Sequence, residues 1–221
     1  MSLDPVLAEK YKNDPWFKAH PVAWLIVNDG MQQISSKKPT NFNMQCLLSN
    51  MCAYGDKKWQ YEPGNADSGE NTLKGSHVIT DCSTLAHMFC DIANHLGFTT
   101  KAKQIKKDGY RIVTKPGIMS FNGKSGDQSL ENRWCFGNHW IAECENTCYD
   151  PTFNFKGFSF NEVGKIYLGW YAKEEKKKDC FTGTYWKKEP NVLAAKDIYI
   201  RLTPNFAYTF KSTDKAGKEI G

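Results

Sequence analysis

A thiol, an imidazole and a carboxylate can together run acyl transfer: the thiolate attacks a carbonyl, the imidazole moves the proton, and the carboxylate orients the ring. The chain carries eight cysteines and five histidines, so the first task is to find the thiol that its surroundings would activate. Cys82 opens the segment TDCSTLAHMFCDIANHLG, residues 80–97. Leu85, Phe89, Ile92 and Leu96 recur at helical spacing and make one apolar stripe, with Asp91, Asn94 and His95 mostly on the other side. Thr80 or Asp81 can cap this helix, which puts Cys82 in its first turn. Unpaired amides and the helix dipole favour an anion there, and the same amides can hold an oxyanion. Asp81 would oppose a thiolate unless its carboxylate turns into the cap. Cys90, in mid-helix, reads as a buried and inert thiol.

The histidines differ in setting. His20 precedes a proline, His77 lies in a loop, and His87 and His95 belong to the nucleophile helix itself. His139 begins a strand, and Asp150 follows eleven residues later. Residues 133–153 read as two strands around a turn at Glu145-Asn146. A two-residue turn makes the numbers of opposite residues sum to 291, so Ile141 faces Asp150 and His139 is its diagonal neighbour on that face. Such neighbours sit ~7–8 Å apart. A three-residue turn would flip the parity and part them. The same register sends Cys144 and Cys148 to opposite faces, so no disulfide is expected between them.

The rest of the chain supplies elements to hold these residues. Residues 1–36 read as short helices broken at Pro5, Pro15 and Pro21. NFNMQCLLSNMCAY, 41–54, reads as a helix ending at Gly55, with Phe42, Cys46 or Gln45, Ser49 and Cys52-Ala53 near helical spacing. Residues 62–76, rich in Gly, Asn, Asp and Ser, read as a loop. Residues 98–115 read as two strands joined into a hairpin at Lys107-Asp108-Gly109. A second loop spans 116–132, residues 161–178 read as partly helical, and IYIRL (198–202) and FAYTF (206–210) read as closing strands. Helices followed by an antiparallel run of strands predict an α+β domain spanning 1–221. Its core covers about 41–210, with a helical N-terminal extension at 1–40 and a loose tail at 211–221.

The totals narrow the function classes. With 40% hydrophobic and 14% aromatic residues in 221, there is ample core material. The +5 net charge is spread over lysine pairs and one interleaved run, KEEKKKD, which reads as a solvated face. No zinc-finger, RRM or KH signature accompanies it, so no nucleic-acid partner is expected. No apolar run approaches the ~20 residues of a membrane helix, and no apolar signal region is evident in MSLDPVLAEKYKNDPWF. A cytoplasmic location follows, or export by a signal-less route as a secreted effector. Cofactors and metals are not expected: there is no C-x-x-C pair, and Gly123-Lys124-Ser125 lacks the upstream glycine of a phosphate loop.

Three pieces in order resemble the transglutaminase-like superfamily of papain-fold enzymes. They are Asp81-Cys82-Ser83 with a helix ending at Leu96-Gly97-Phe98, then Asn138-His139-Trp140, then Tyr149-Asp150-Pro151-Thr152. The match covers roughly residues 59–155. The family often shows Gly-x-Cys where this chain has Thr80-Asp81-Cys82. The resemblance implies a papain-like core in which the nucleophile helix packs on an antiparallel sheet. It also implies a triad of Cys82 as nucleophile, His139 as base and acid, and Asp150 as orienter. Trp59 and Gln60 fall where the family often has an aromatic-containing segment, which makes either a candidate oxyanion donor; Trp59 also reads as packing. The expected activity is cleavage or transfer of an amide acyl group through a thioester, on a protein or peptide substrate. Peptidase, amidase and glutamine deamidase lead, with transglutaminase or a non-catalytic binding module as alternatives; the oligomeric state stays open.

Overall fold

The computed structural model describes residues 5–30, 41–64, 66, 68–106, 110–126, 132–159, 162, 168–173, 198–202, 207–213 and 219–220. It is a mixed α+β protein with helices and antiparallel sheet. The chain divides into two compact units, residues 1–102 with 141–157, and residues 103–140 with 158–221.

The first unit opens with three short helices, α1 (Pro5–Lys12), α2 (Pro15–Ala19) and α3 (Pro21–Gly30), each beginning on a proline as the sequence predicts. Proline suits that position, because its missing N–H would have no helical acceptor. Asp14 caps α2, its Oδ1 accepting from the Trp16 and Phe17 amides at 2.9 and 3.1 Å. His95 donates from Nε2 to the same oxygen at 2.8 Å. Trp16 stacks on both His20 and His95, at 4.2 and 4.4 Å between ring centroids. His20 in turn donates from Nδ1 to the Trp16 carbonyl, and its Nε2 lies 2.9 Å from Glu70. Val22, Ala23, Ile26 and Val27 of α3 are buried, so this N-terminal stretch is part of the unit's core.

Helix α4 (Asn41–Lys58) packs against α3 and against α6 (Cys82–His95). It buries Met44, Leu47, Leu48 and Met51; of the positions the sequence suggested, Cys46 and Cys52 are buried with them, Ser49 is half-buried and Ala53 is exposed. Gly55 does not end α4; it is buried inside the helix, where the packed face outweighs a weak helix former. The expected loop at 62–76 contains α5 (Gly69–Lys74), capped by Ser68 and closed by Gly75 at φ 84°. Six residues are too few to display a stripe, so only the caps could have announced it. Two further strands, β1 (Gln60–Tyr61) and β2 (Ile79–Thr80), pair in parallel. Strands β3 (Thr100–Lys106), β6 (Asn138–Cys144), β7 (Thr147–Asp150) and β8 (Phe155–Ser159) lie side by side in that order. Of these, β3, β6 and β8 run along the chain from one unit into the other.

In the second unit, β4 (Tyr110–Thr114) pairs antiparallel with β5 (Cys135–Phe136) and β9 (Leu168–Lys173). The two strands expected at 98–115 therefore form, but they join different sheets instead of one hairpin. Alternation sets strand identity, whereas tertiary packing sets the partner. Within 161–178, read as partly helical, residues 168–173 form β9, held by its long ladder with β4; apart from 162, the rest of that range lies outside the described residues. β10 (Ile198–Leu202) and β11 (Ala207–Thr213) pair antiparallel as closing strands, and β11 also runs parallel to β3. The tail carries β12 (Glu219–Ile220) on β11 instead of loose chain. Among the described residues no helix is long and apolar enough to cross a membrane.

The Asp14 cap makes a test of how the N-terminal helices dock. Burial alone would raise the Asp14 pKa, but bonds from the Phe17 amide, His95 and the Trp16 amide, with the His95 charge, leave it below its ordinary 3.8. A lowered carboxylate pKa stabilises the fold above the unfolded value, and that contribution is lost as pH falls through the folded one. Asp14→Ala should therefore cost about 1 kcal/mol near neutrality. In urea unfolding the gap to wild type should narrow as the solution is acidified below the unfolded carboxylate value.

Candidate functional site

The start of α6 determines what Cys82 can do. Asp81 is the cap: its backbone is extended, at φ −135° and ψ −176°, and its Oδ1 accepts from the Thr84 amide at 2.8 Å. Its carbonyl takes the Leu85 amide at 2.9 Å. The carboxylate adjacent to the thiol is thus turned onto the helix, as a thiolate at Cys82 requires. The amides of Cys82 and Ser83 have no intrahelical acceptor, because they lie at a helix start. Cys82 itself is partly exposed, while Thr84, Leu85 and Ala86 behind it are buried.

The other end of α6 is closed by a Schellman motif. Phe98 donates to the Ala93 carbonyl and Gly97 to that of Asn94, each at 3.0 Å, with Gly97 at φ 93°. Phe89 packs on Tyr149 of β7 with ring centroids 5.7 Å apart. Thr100 of β3 gives its hydroxyl to the Cys90 carbonyl at 3.1 Å and its amide to Asn94 Oδ1 at 2.7 Å. These contacts fix the helix on the sheet strands of its own unit. Cys90 is buried within them, and burial pushes its thiol up to about 12.

The strand β2 leads directly into the cap, and β1 lies beside it with Tyr61 opposite Thr80. Gln60 donates its amide to the Val78 carbonyl at 2.8 Å, and Glu62 donates to Thr80 at 2.9 Å. Gln60 faces outward and Tyr61 inward. Tyr61 is 8% exposed, and its hydroxyl is hydrogen-bonded to the Cys82 side chain. Burial raises the Tyr61 pKa well above its ordinary 10.0, and the charges of Cys82, Asp150 and Asp81 add to the rise. The phenol consequently keeps its proton and acts as donor toward the sulfur.

The segment KKWQYEP was singled out for Trp59 and Gln60, and the residue that touches the thiol is the next one. Trp59 is buried edge-on against Tyr54, 5.3 Å between centroids. The Gln60 side chain is exposed, and its amide is engaged by Val78. The alternation of Gln60 and Tyr61 in a two-residue strand was the available signal, and it is too short to be read with assurance before β2 is seen beside it.

Asp150 ends β7 and is wholly buried. Its Oδ1 accepts from the Thr152 amide at 2.8 Å and the Phe153 amide at 3.3 Å, so the carboxylate folds the Asp-Pro-Thr turn over itself. β6 and β7 keep the expected register: Ala142 faces Tyr149, Glu143 faces Cys148, and Cys144 faces Thr147. The turn is the two-residue Glu145-Asn146, with Glu145 at φ 47°. Cys144 and Cys148 fall on opposite faces, and no disulfide joins them. Cys52 donates to the Pro151 carbonyl at 3.5 Å, and burial, with Asp150 adding, raises its thiol.

In the first unit, Cys82 and Asp150 both act electrostatically on Tyr61. His139 belongs to the second unit, as the second residue of β6. It is 1% exposed, and its ring is 4.9 Å from that of Phe136. In the first unit, His20 and His95 are engaged by carboxylates, and His87 donates from Nδ1 to the Ser83 carbonyl at 2.8 Å. Among the described residues no group of three or more His, Cys, Asp or Glu could hold a metal ion. No family model, curated protein or solved structure matches the chain.

Asp150 has a structural duty that can be separated from any chemical one. Asp150→Ala strips two buried amides of their acceptor and should cost about 2–3 kcal/mol in urea unfolding. Asp150→Asn retains a carbonyl oxygen for both amides and should cost about 1 kcal/mol or less.

Proposed function

We propose that the chain is a cysteine-nucleophile acyl-transfer enzyme of the transglutaminase-like, papain-fold kind, acting on an amide of a protein or peptide. The observation that carries the reading is Cys82 at the capped start of α6, with the adjacent carboxylate turned onto the helix and a buried phenol donating to the sulfur. A helix start of this form favours the thiolate and offers amides to a developing oxyanion.

In the proposed cycle the Cys82 thiolate attacks the amide carbon, and the carbonyl oxygen takes up the negative charge. His139, protonated by the thiol, gives that proton to the nitrogen as the C–N bond breaks. An amine or ammonia leaves, and a thioester remains on Cys82. His139 then draws a proton from water, the water attacks the thioester, and the acid and free thiol are released. Asp150 orients the imidazole and supports its charge. Hydrolysis is the favoured ending, because water needs no second binding site.

Two measurements test the reading. Iodoacetamide at neutral pH should label Cys82 on the order of tenfold or more faster than any other thiol of the folded protein. Uniform labelling rates would remove the basis for a nucleophile. Candidate peptides incubated with wild type and with Cys82→Ala should separate the endings by mass spectrometry. The small mass gain of an amide becoming an acid means deamidation, new termini mean proteolysis, and loss of ammonia with cross-linking means transamidation. Wild type and variant giving the same products would overturn the proposal.

A further inference from the structure

Two carboxylates act on the phenol that bonds the sulfur, and the proposed reaction needs that sulfur as an anion. Asp81 approaches from the cap of α6 and Asp150 from the end of β7, and both act on the same buried phenol that bonds Cys82. A thiolate formed there would add a third negative charge beside that phenol. The cap bond from Thr84 and the turn bonds from Thr152 and Phe153 take up part of those charges. What remains must be offset by a donor aimed at the sulfur.

We infer that the Tyr61 hydroxyl is a catalytic hydrogen-bond donor to Cys82, holding the thiolate beside the Asp81 cap. The inference rests on Cys82 being the nucleophile. Its geometry comes from the β1–β2 ladder. Tyr61 stands opposite Thr80, two residues ahead of Cys82, with its ring buried and its hydroxyl on the thiol. The ladder is pinned on both sides of Tyr61, by Gln60 donating to Val78 and Glu62 donating to Thr80. Thr80 adds its own hydroxyl to the Gln60 carbonyl at 3.3 Å. The phenol is therefore delivered by a backbone that has little freedom to withdraw it. Burial among negative groups also keeps the proton on Tyr61. It cannot exchange roles with the cysteine, and its hydroxyl is a donor toward the sulfur. A hydrogen bond to a charged acceptor is worth more than one to a neutral acceptor, so it favours thiolate over thiol.

The test reads the pH profile of Cys82 alkylation by iodoacetamide, followed by peptide mapping, in wild type and in Tyr61→Phe. Phenylalanine keeps the buried ring and removes only the hydroxyl. The midpoint of the profile should rise by about one pH unit or more, with labelling at neutral pH slowed about tenfold. Incorporation of 3-fluorotyrosine at position 61, a more acidic phenol of nearly the same shape, should move the midpoint down. A role confined to packing would leave both midpoints where wild type has them, and that result overturns the inference. The two readings fail separately. If Cys82 in wild type reacts no faster than the other thiols and the midpoint still climbs in Tyr61→Phe, the enzyme reading falls and the Tyr61 contact stands. If Cys82 is the fastest thiol and neither variant shifts it, Tyr61 alone is wrongly assigned.

Discussion

The cap of α6 is the constraint on which the chemistry depends. Asp81 can serve the helix or oppose the thiol, and the bond from Thr84 at 2.8 Å decides for the helix. That choice fixes where α6 begins and so puts Cys82 in the turn whose amides lack helical acceptors. A start one residue earlier or later would carry the sulfur around the helix by about 100°. Phe89 on Tyr149 and Thr100 on the Cys90 carbonyl then keep the helix from rolling away from that setting.

The second requirement is that something face the sulfur. In the first unit that is Tyr61, delivered by a parallel pair of two-residue strands. Such a ladder has little stability of its own. Neighbouring contacts support it: Trp59 buried against Tyr54 on one side, and β2 running directly into the cap of α6 on the other. A buried phenol whose proton is held in place suits a hydrogen-bond donor and cannot serve as a base. Base chemistry is therefore left to an imidazole, and in the proposed cycle that group is His139.

Asp150 has a structural duty beside the one proposed for it. Its Oδ1 closes the Asp-Pro-Thr turn through two amides, which helps a buried carboxylate hold its place. Cys52 packs against the Pro151 carbonyl of the same turn, and α4 brings it there. The N-terminal helices contribute from a distance, since His95 of α6 is tied to Asp14 and stacked on Trp16. The far end of α6 is thereby joined to chain that precedes it by some eighty residues.

What could be read from the residues alone was local in its physics. The prolines that start α1 to α3, the Asp81 cap, the Gly97 stop and the 291 register each depend on a few neighbouring residues, and each is seen as expected. The same is true of the mixed α+β class. Features decided by distant partners differ from the local reading: α4 running through Gly55, and β3 and β4 joining separate sheets. α5 was missed because six residues cannot display a period. Tyr61 belongs with these. Nothing in KKWQYEP favours Tyr61 over Trp59 or Gln60, because a two-residue strand has no orientation until another strand lies beside it. The sequence by itself determined where the thiol sits on its helix, since capping is settled within four residues. Only tertiary structure decided which side chain meets that thiol, since that depends on how β1 pairs with a strand some twenty residues away.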